Sequence, residues 1–240
     1  MSHFQEVEFG QGDDNIGTKG KAFKAEAGVS YRVSFLYFNG LKDGAPDFSG
    51  PPKFEVAPCH YIEKVGFVVS TGPDVVKEAG SAAKNRLATV IVVWKTDSDG
   101  VLNAEENIKG RKYQVLPWII SEDKYQTLKK IYAHFPYGKH DILMTCKDKN
   151  FQKLDFIGLP DSFLQKIFQE QKLAVIKEDI LAKGMLAAES LKDSLGRELT
   201  VAQIRAKKDP SSATSVSPVS SSGPSVASDS DIDSLLDTFN

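Results

Sequence analysis

Leu87-Ala-Thr-Val-Ile-Val-Val-Trp94 (LATVIVVW) is a continuous apolar run with no alternation to mark a wet side, so it predicts a strand buried on both faces. Outward from it, shorter runs rich in β-branched and aromatic residues end at turn residues. Tyr31 to Phe38 (YRVSFLYF) stops at Asn39-Gly40, and Phe67 to Ser70 (FVVS) stops at Thr71-Gly72-Pro73. Asp97 to Gly100 (DSDG) turns the chain after the central run. Tyr113 to Ile120 (YQVLPWII) carries Pro117, which lacks an amide donor and places that portion at an edge or bulge. Ile142 to Cys146 (ILMTC) and Phe151 to Ile157 (FQKLDFI) read as a hairpin across Lys147-Asp148-Lys149-Asn150. One helix interrupts the strands. Ser121 is its expected N-cap, and Tyr125, Leu128, Ile131 and Tyr132 form its apolar stripe.

The expected fold is mainly β with added helices, an OB-fold-like barrel followed by a helical segment and a disordered acidic tail. Residues 1–160 form the body, and residues 1–156 hold 20 of the 23 aromatic side chains. Residues 161–208 turn helical, with stripes at Phe163, Leu164, Ile167 and Phe168 and at Ile180, Leu181, Met185, Leu186 and Leu191. These helices are open either to packing on the barrel or to pairing in a homo-oligomer. Residues 209–228 are a linker. Nine of the 19 residues from 210 to 228 are Ser, three are Pro and none is charged, too little apolar surface to offset the entropy of ordering. Residues 229–240 (DSDIDSLLDTFN) form an acidic tail in which Ile232, Leu235, Leu236 and Phe239 share one helical face.

Charge divides along the same boundary. Five of the 32 acidic residues lie from Asp209 onward, which leaves 27 against 30 Lys and Arg in residues 1–208. The body is thus about +3 and the remainder −5. No segment approaches the ~20 apolar residues of a membrane span. Met1 to Gly10 contains Glu6 and Glu8 and no apolar stretch, so no secretory signal is expected. Cys59 and Cys146 are too few and too far apart for a disulfide framework.

A Ser-rich linker ending in an acidic, Leu-containing, aromatic-tipped peptide resembles the C-terminus of phage single-stranded-DNA-binding proteins, the helix-destabilising family. Lys139 to Ile157 (KHDILMTCKDKNFQKLDFI) is similar to their last barrel hairpin. The resemblance implies an OB body that holds single strands in a basic, aromatic-lined cleft. It also implies a tail that recruits polymerase, helicase-primase or recombination factors and competes with DNA. Asp229, Asp231, Ile232, Asp233, Leu235, Leu236, Asp237 and Phe239 are then the partner-binding residues. The family's zinc site has no counterpart, since Cys59-His60 and Cys146 supply only a scattered set, and no metal or other cofactor is expected.

Single-strand binding without sequence preference needs cations along phosphates and rings under bases. Several segments interleave the two. Trp94-Lys95, Arg111-Lys112-Tyr113 and the Lys149, Phe151, Lys153 stretch do so, with Arg32 and Tyr37 on the YRVSFLYF strand. Alternation there puts Tyr31, Phe35 and Tyr37 on one face and Arg32 and Phe38 on the other. Lys19 and Lys21 add charge to an N-terminal Gly-rich loop whose Gly-Thr-Lys order reverses the end of a phosphate-binding P-loop. No GxSxG or HExxH motif occurs, and His3, His60, His134 and His140 are scattered, so no enzyme is expected.

The expected function is stoichiometric binding of single-stranded DNA in phage replication, recombination and repair. It would operate in the cytoplasm of the infected host, with no membrane partner. The alternative is a non-enzymatic phage structural or assembly protein whose tail docks on a partner.

Overall fold

The structure, a computed structural model, describes residues 22–42, 44–94, 113–148, 153–169 and 173–209. The fold described lies within the compact unit Met1–Lys208; of the second unit, Asp209–Asn240, only Asp209 is among these residues. The expected linker and acidic tail therefore lie outside the described residues.

The LATVIVVW run is the second half of a strand, Lys84–Trp94, that organises the sheet. Taken in chain order the strands are β1 (Ser30–Phe35), β2 (Leu41–Lys42), β3 (Ala45–Pro46), β4 (Glu55–Ile62), β5 (Gly66–Val69), β6 (Lys84–Trp94), β7 (Tyr113–Ser121), β8 (Ile142–Cys146) and β9 (Leu154–Gly158). The helices are α1 (Pro73–Ala79), α2 (Glu122–Tyr132), α3 (Phe163–Gln169), α4 (Ala174–Glu189), α5 (Leu191–Leu195) and α6 (Val201–Lys208). β2 and β3 pair separately as a small ribbon. The other seven strands form one antiparallel sheet in the order β5-β4-β6-β1-β8-β9, with β7 also on β6.

β6 holds three neighbours. Residues 84–88 pair with β4, residues 91–94 pair with β1, and residues 86–94 pair with β7. Its side chains divide by parity, as a strand's two-residue period requires. Leu87, Ile91 and Val93 join one core with Tyr31, Val33, Phe35, Trp118, Leu128, Ile142 and Met144. Ala88, Val90, Val92 and Trp94 join a second core with Leu36, Tyr113, Phe163, Leu164, Ile167, Ile180, Leu191 and Leu195. The expected two-sided burial is thus produced by α2 on one face and α3–α5 on the other.

The sheet is not closed into a barrel among the described residues. Pro117 of β7 has no amide to offer a further strand, and its carbonyl accepts a 2.8 Å bond from the amide of Phe23. The architecture is mainly antiparallel sheet with helices. The helices of 163–195 pack within the chain. Leu164, Ile167, Ile180, Leu191 and Leu195 are each at most 2% exposed, and each such burial is worth about 1.5–3 kcal/mol. A third cluster, Ile62, Val65, Val68, Val75 and Ile204, ties the β4–β5 hairpin to α1 and α6.

Helix α2 begins where the stripe predicts. Ser121 occupies the N-cap position with an extended backbone, but its side chain makes no capping bond. The predicted hairpin is β8–β9, with Cys146 opposite Leu154. Cys59 and Cys146 are both buried free thiols.

Candidate nucleic-acid interface

Three residues expected to contact DNA come from three strands, and the structure brings them together. Tyr113, Trp94 and Arg32 are register partners in one row across β7, β6 and β1. The same row continues through Leu143 to Ile157. Its cation and rings meet in the interior. Trp94 is 0% exposed, Arg32 5% and Tyr113 7%. Phe163 covers them, its ring centroid 3.4 Å from the Arg32 guanidinium and 5.7 Å from the Trp94 ring. Trp94 Nε1 donates to Ser34 Oγ at 2.8 Å, and the Tyr113 hydroxyl donates to Asp179 Oδ2 at 2.6 Å.

Beneath the row sits a buried carboxylate. Asp141 accepts from Arg32 Nε at 2.6 Å, Ser34 Oγ at 2.6 Å and the Phe163 amide at 2.9 Å. Burial raises its pKa, against the pull of Arg32 and these donors. Arg32 also donates to Asp161 Oδ1 at 2.7 Å. Burial works to raise the Asp161 carboxyl, but Lys166 and Arg32 outweigh it and hold the group below its ordinary value. Arg32, Trp94 and Tyr113, expected to line a DNA cleft, are here buried between the sheet and α3. A ring with both faces packed has none to offer a base.

Tyr37 is half-buried against the second core, with its hydroxyl on Glu55 Oε1 at 2.9 Å and Lys53 Nζ 5.1 Å from its ring centroid. Burial and the Glu55 carboxylate raise its pKa. Alternation breaks after β1 ends at Phe35. Tyr37 packs with the second core and Phe38 with the first, the reverse of the strand expectation.

Lys153 is exposed at the turn end of the β8–β9 hairpin, immediately before β9. It borders a groove of about 400 Å³ together with Asp123, Lys124, Thr127, Lys147, Leu154, Asp155 and Phe156. Lys147 is ion-paired with Asp155, and its amide donates to the Lys153 carbonyl at 2.9 Å. The groove lies near the end of the sheet where Trp94 and Tyr113 bound the segment 95–112. Cys146 and Leu154 are three residues, roughly 10 Å, beyond the row that contains those two. Lys19, Lys21, Lys95, Arg111, Lys112, Lys149 and Phe151, and the tail residues from Asp229 to Phe239, lie outside the described residues.

A further ring pair escaped sequence reasoning. Tyr61 and Phe67 face each other across the β4–β5 hairpin, with centroids 5.2 Å apart. Tyr61 is 63% and Phe67 40% exposed. Arg86 of β6 lays its guanidinium 3.7 Å from the Phe67 centroid and donates to the Leu195 carbonyl. Burial holds the Arg86 pKa below its ordinary value. The sequence signal is Tyr and Phe placed symmetrically about Glu63-Lys64-Val65, and only the hairpin register reveals it.

Among the described residues no group of three or more His, Cys, Asp or Glu side chains is placed to hold a metal ion. No helix of these residues is long and apolar enough to cross a membrane. Comparison with protein families, with curated proteins and with solved structures finds no match to this chain.

Proposed function

We propose that this chain binds single-stranded DNA stoichiometrically and without sequence preference, as a phage protein of replication, recombination and repair in the cytoplasm of the infected host. The observation that carries the reading is strand order. β1 lies between β6 and β8, β7 follows on β6, α2 joins β7 to β8, and β8 and β9 form the last hairpin. That order supports an arrangement like the five-stranded, partly open OB barrel, a module that holds oligonucleotides. On that reading β2–β5 and α1 are an insertion between its first two strands. The division of charge along the sequence supports it, with about +3 on residues 1–208 and −5 on the remainder.

The route of the strand follows from packing. α3–α5 cover the β6–β7 face, the one that OB modules most often turn to nucleic acid. DNA then runs past the Lys124, Lys147 and Lys153 groove, with Lys95, Arg111 and Lys112 as further proposed contacts. Cations there neutralise phosphates and release counterions, so affinity falls steeply with salt. The −5 tail competes with DNA and, once displaced, presents Ile232, Leu235, Leu236 and Phe239 to replication proteins.

The test is anisotropy of dye-labelled oligo(dT), with duplex DNA and ATP as competitors, for the full chain and for a chain lacking residues 229–240. Salt-sensitive binding to oligo(dT), tighter without the tail, is expected. Indifference of both proteins to oligo(dT) in dilute buffer refutes the reading, and turns attention to an assembly role.

A further inference from the structure

We infer that Tyr61 and Phe67 form a stacking platform for unpaired bases, a second contact region on the inserted β4–β5 hairpin; the inference rests on the single-strand-binding reading above. Large rings are ordinarily packed away, yet Tyr61 is 63% and Phe67 40% exposed. Nothing in the hairpin lets them turn inward. Its opposite face is anchored by Ile62, Val65 and Val68 against α1 and α6. Its turn is closed by the Val65 amide on the Ile62 carbonyl at 3.1 Å, with Lys64 and Gly66 in the left-handed region at φ 64° and 94°. One side of Phe67 is already taken by the Arg86 guanidinium, which is itself held by the Leu195 carbonyl. The row Arg86–Phe67–Tyr61, in which the two rings meet edge to face at 61°, therefore opens outward at Tyr61.

Charge selects the occupant. Lys84 pairs with Cys59, and Arg86 with Ala57, so register puts both cations on the face that carries Tyr61. Lys64 is exposed at the hairpin tip, beside Glu63. Two rings edged by cations match a base with its phosphate. Stacking accepts any base because every base has a π-face. A protein partner would demand a broader apolar area than two side chains supply. The hairpin also lies in the connection between the first two strands of the proposed OB order, a loop position from which such modules reach oligonucleotides.

The experiment compares full-length unmodified chain with Tyr61→Ala, Tyr61→Phe, Phe67→Ala and Lys84→Ala, titrated into labelled oligo(dT) across a salt series. Tyr61→Ala, on an exposed side chain, should weaken affinity about tenfold, within the range known for loss of one stacked base. Tyr61→Phe, which keeps the ring, should bind as the unmodified chain does. Lys84→Ala should lower the salt slope by about one. An oligonucleotide carrying 5-iododeoxyuridine should photo-crosslink to the peptide that contains Tyr61 and Phe67. If the unmodified chain binds oligo(dT) and Tyr61→Ala binds it equally well, the platform is wrong and the general reading survives. If the unmodified chain binds no oligonucleotide, both fall. If Tyr61→Ala dissolves a dimer while DNA affinity is untouched, the face joins two copies of the chain and the platform is refuted.

Discussion

Arg32 Nε donates to Asp141 Oδ2 across 2.6 Å, and neither side chain is more than 6% exposed. The pair links β1 to the residue that precedes β8, and through Phe163 it fixes the start of α3. Removing one member of a buried pair leaves the other charge without compensation, at about 3–5 kcal/mol. Arg32→Ala and Asp141→Ala should each lose that much in denaturant titration. Arg32→Met with Asp141→Leu should recover part of it. DNA affinity of the folded fraction should stay unchanged, which a strand-binding role for Arg32 would not allow.

Trp94 gives a spectroscopic version of the same distinction. It is 0% exposed, and Trp118 is 2% exposed. In a Trp118→Phe protein the remaining tryptophan emission should be insensitive to acrylamide and nearly unchanged on saturation with oligo(dT). Strong quenching by oligo(dT) would mean that α3–α5 lift from the sheet during binding. Trp94→Ala should cost about 3–5 kcal/mol of stability through the cavity it leaves.

The scaffold is largely legible in the sequence and the burial of the candidate site is not, for one physical reason. Strand periodicity says which residues share a face, and it correctly grouped the apolar run around Leu87–Trp94, the helix carrying Leu128 and the hairpin ending at Cys146. Periodicity does not say what later covers that face. Arg32, Trp94 and Tyr113 do assemble, as interleaved cation and ring should, but Phe163 and Leu164 arrive later in the chain and seal them. Tyr61 and Phe67 became visible only through register, since strand pairing is non-local and no local pattern encodes it.

Acid should loosen the C-terminal helix of the described fold first. Glu78 accepts from Lys208 Nζ at 3.0 Å and from Arg205 Nε at 2.9 Å, which holds its carboxyl below the ordinary value. A depressed carboxylate contributes stability above its unfolded pKa of about 4.3, and that contribution is lost as pH falls through the folded value. Hydrogen exchange in Val201–Lys208 should therefore rise below about pH 4, before the strands of the sheet open. Glu78→Gln should show the faster exchange already at pH 7, with a smaller further change on acidification. An equal pH response in both proteins would remove Glu78 from the explanation.

The groove beside the last hairpin predicts how charge loss separates from structural damage. Lys153 is exposed and its amide is held by Asp148 Oδ1 at 3.0 Å, a bond that survives any change of side chain. Lys153→Ala should leave thermal stability within about 0.5 kcal/mol, as exposed substitutions do. If the strand passes here, the plot of log affinity against log salt should become shallower by about one for each phosphate contact removed. Lys147→Ala should do the same while also releasing Asp155 from its ion pair, so its loss at low salt should be the larger. Lys192→Ala, an exposed cation on α5, serves as the comparison and should leave the slope alone. Equal slopes for all three variants would move the DNA path away from the β8–β9 hairpin and leave the segment 95–112 and the Tyr61 hairpin to carry it.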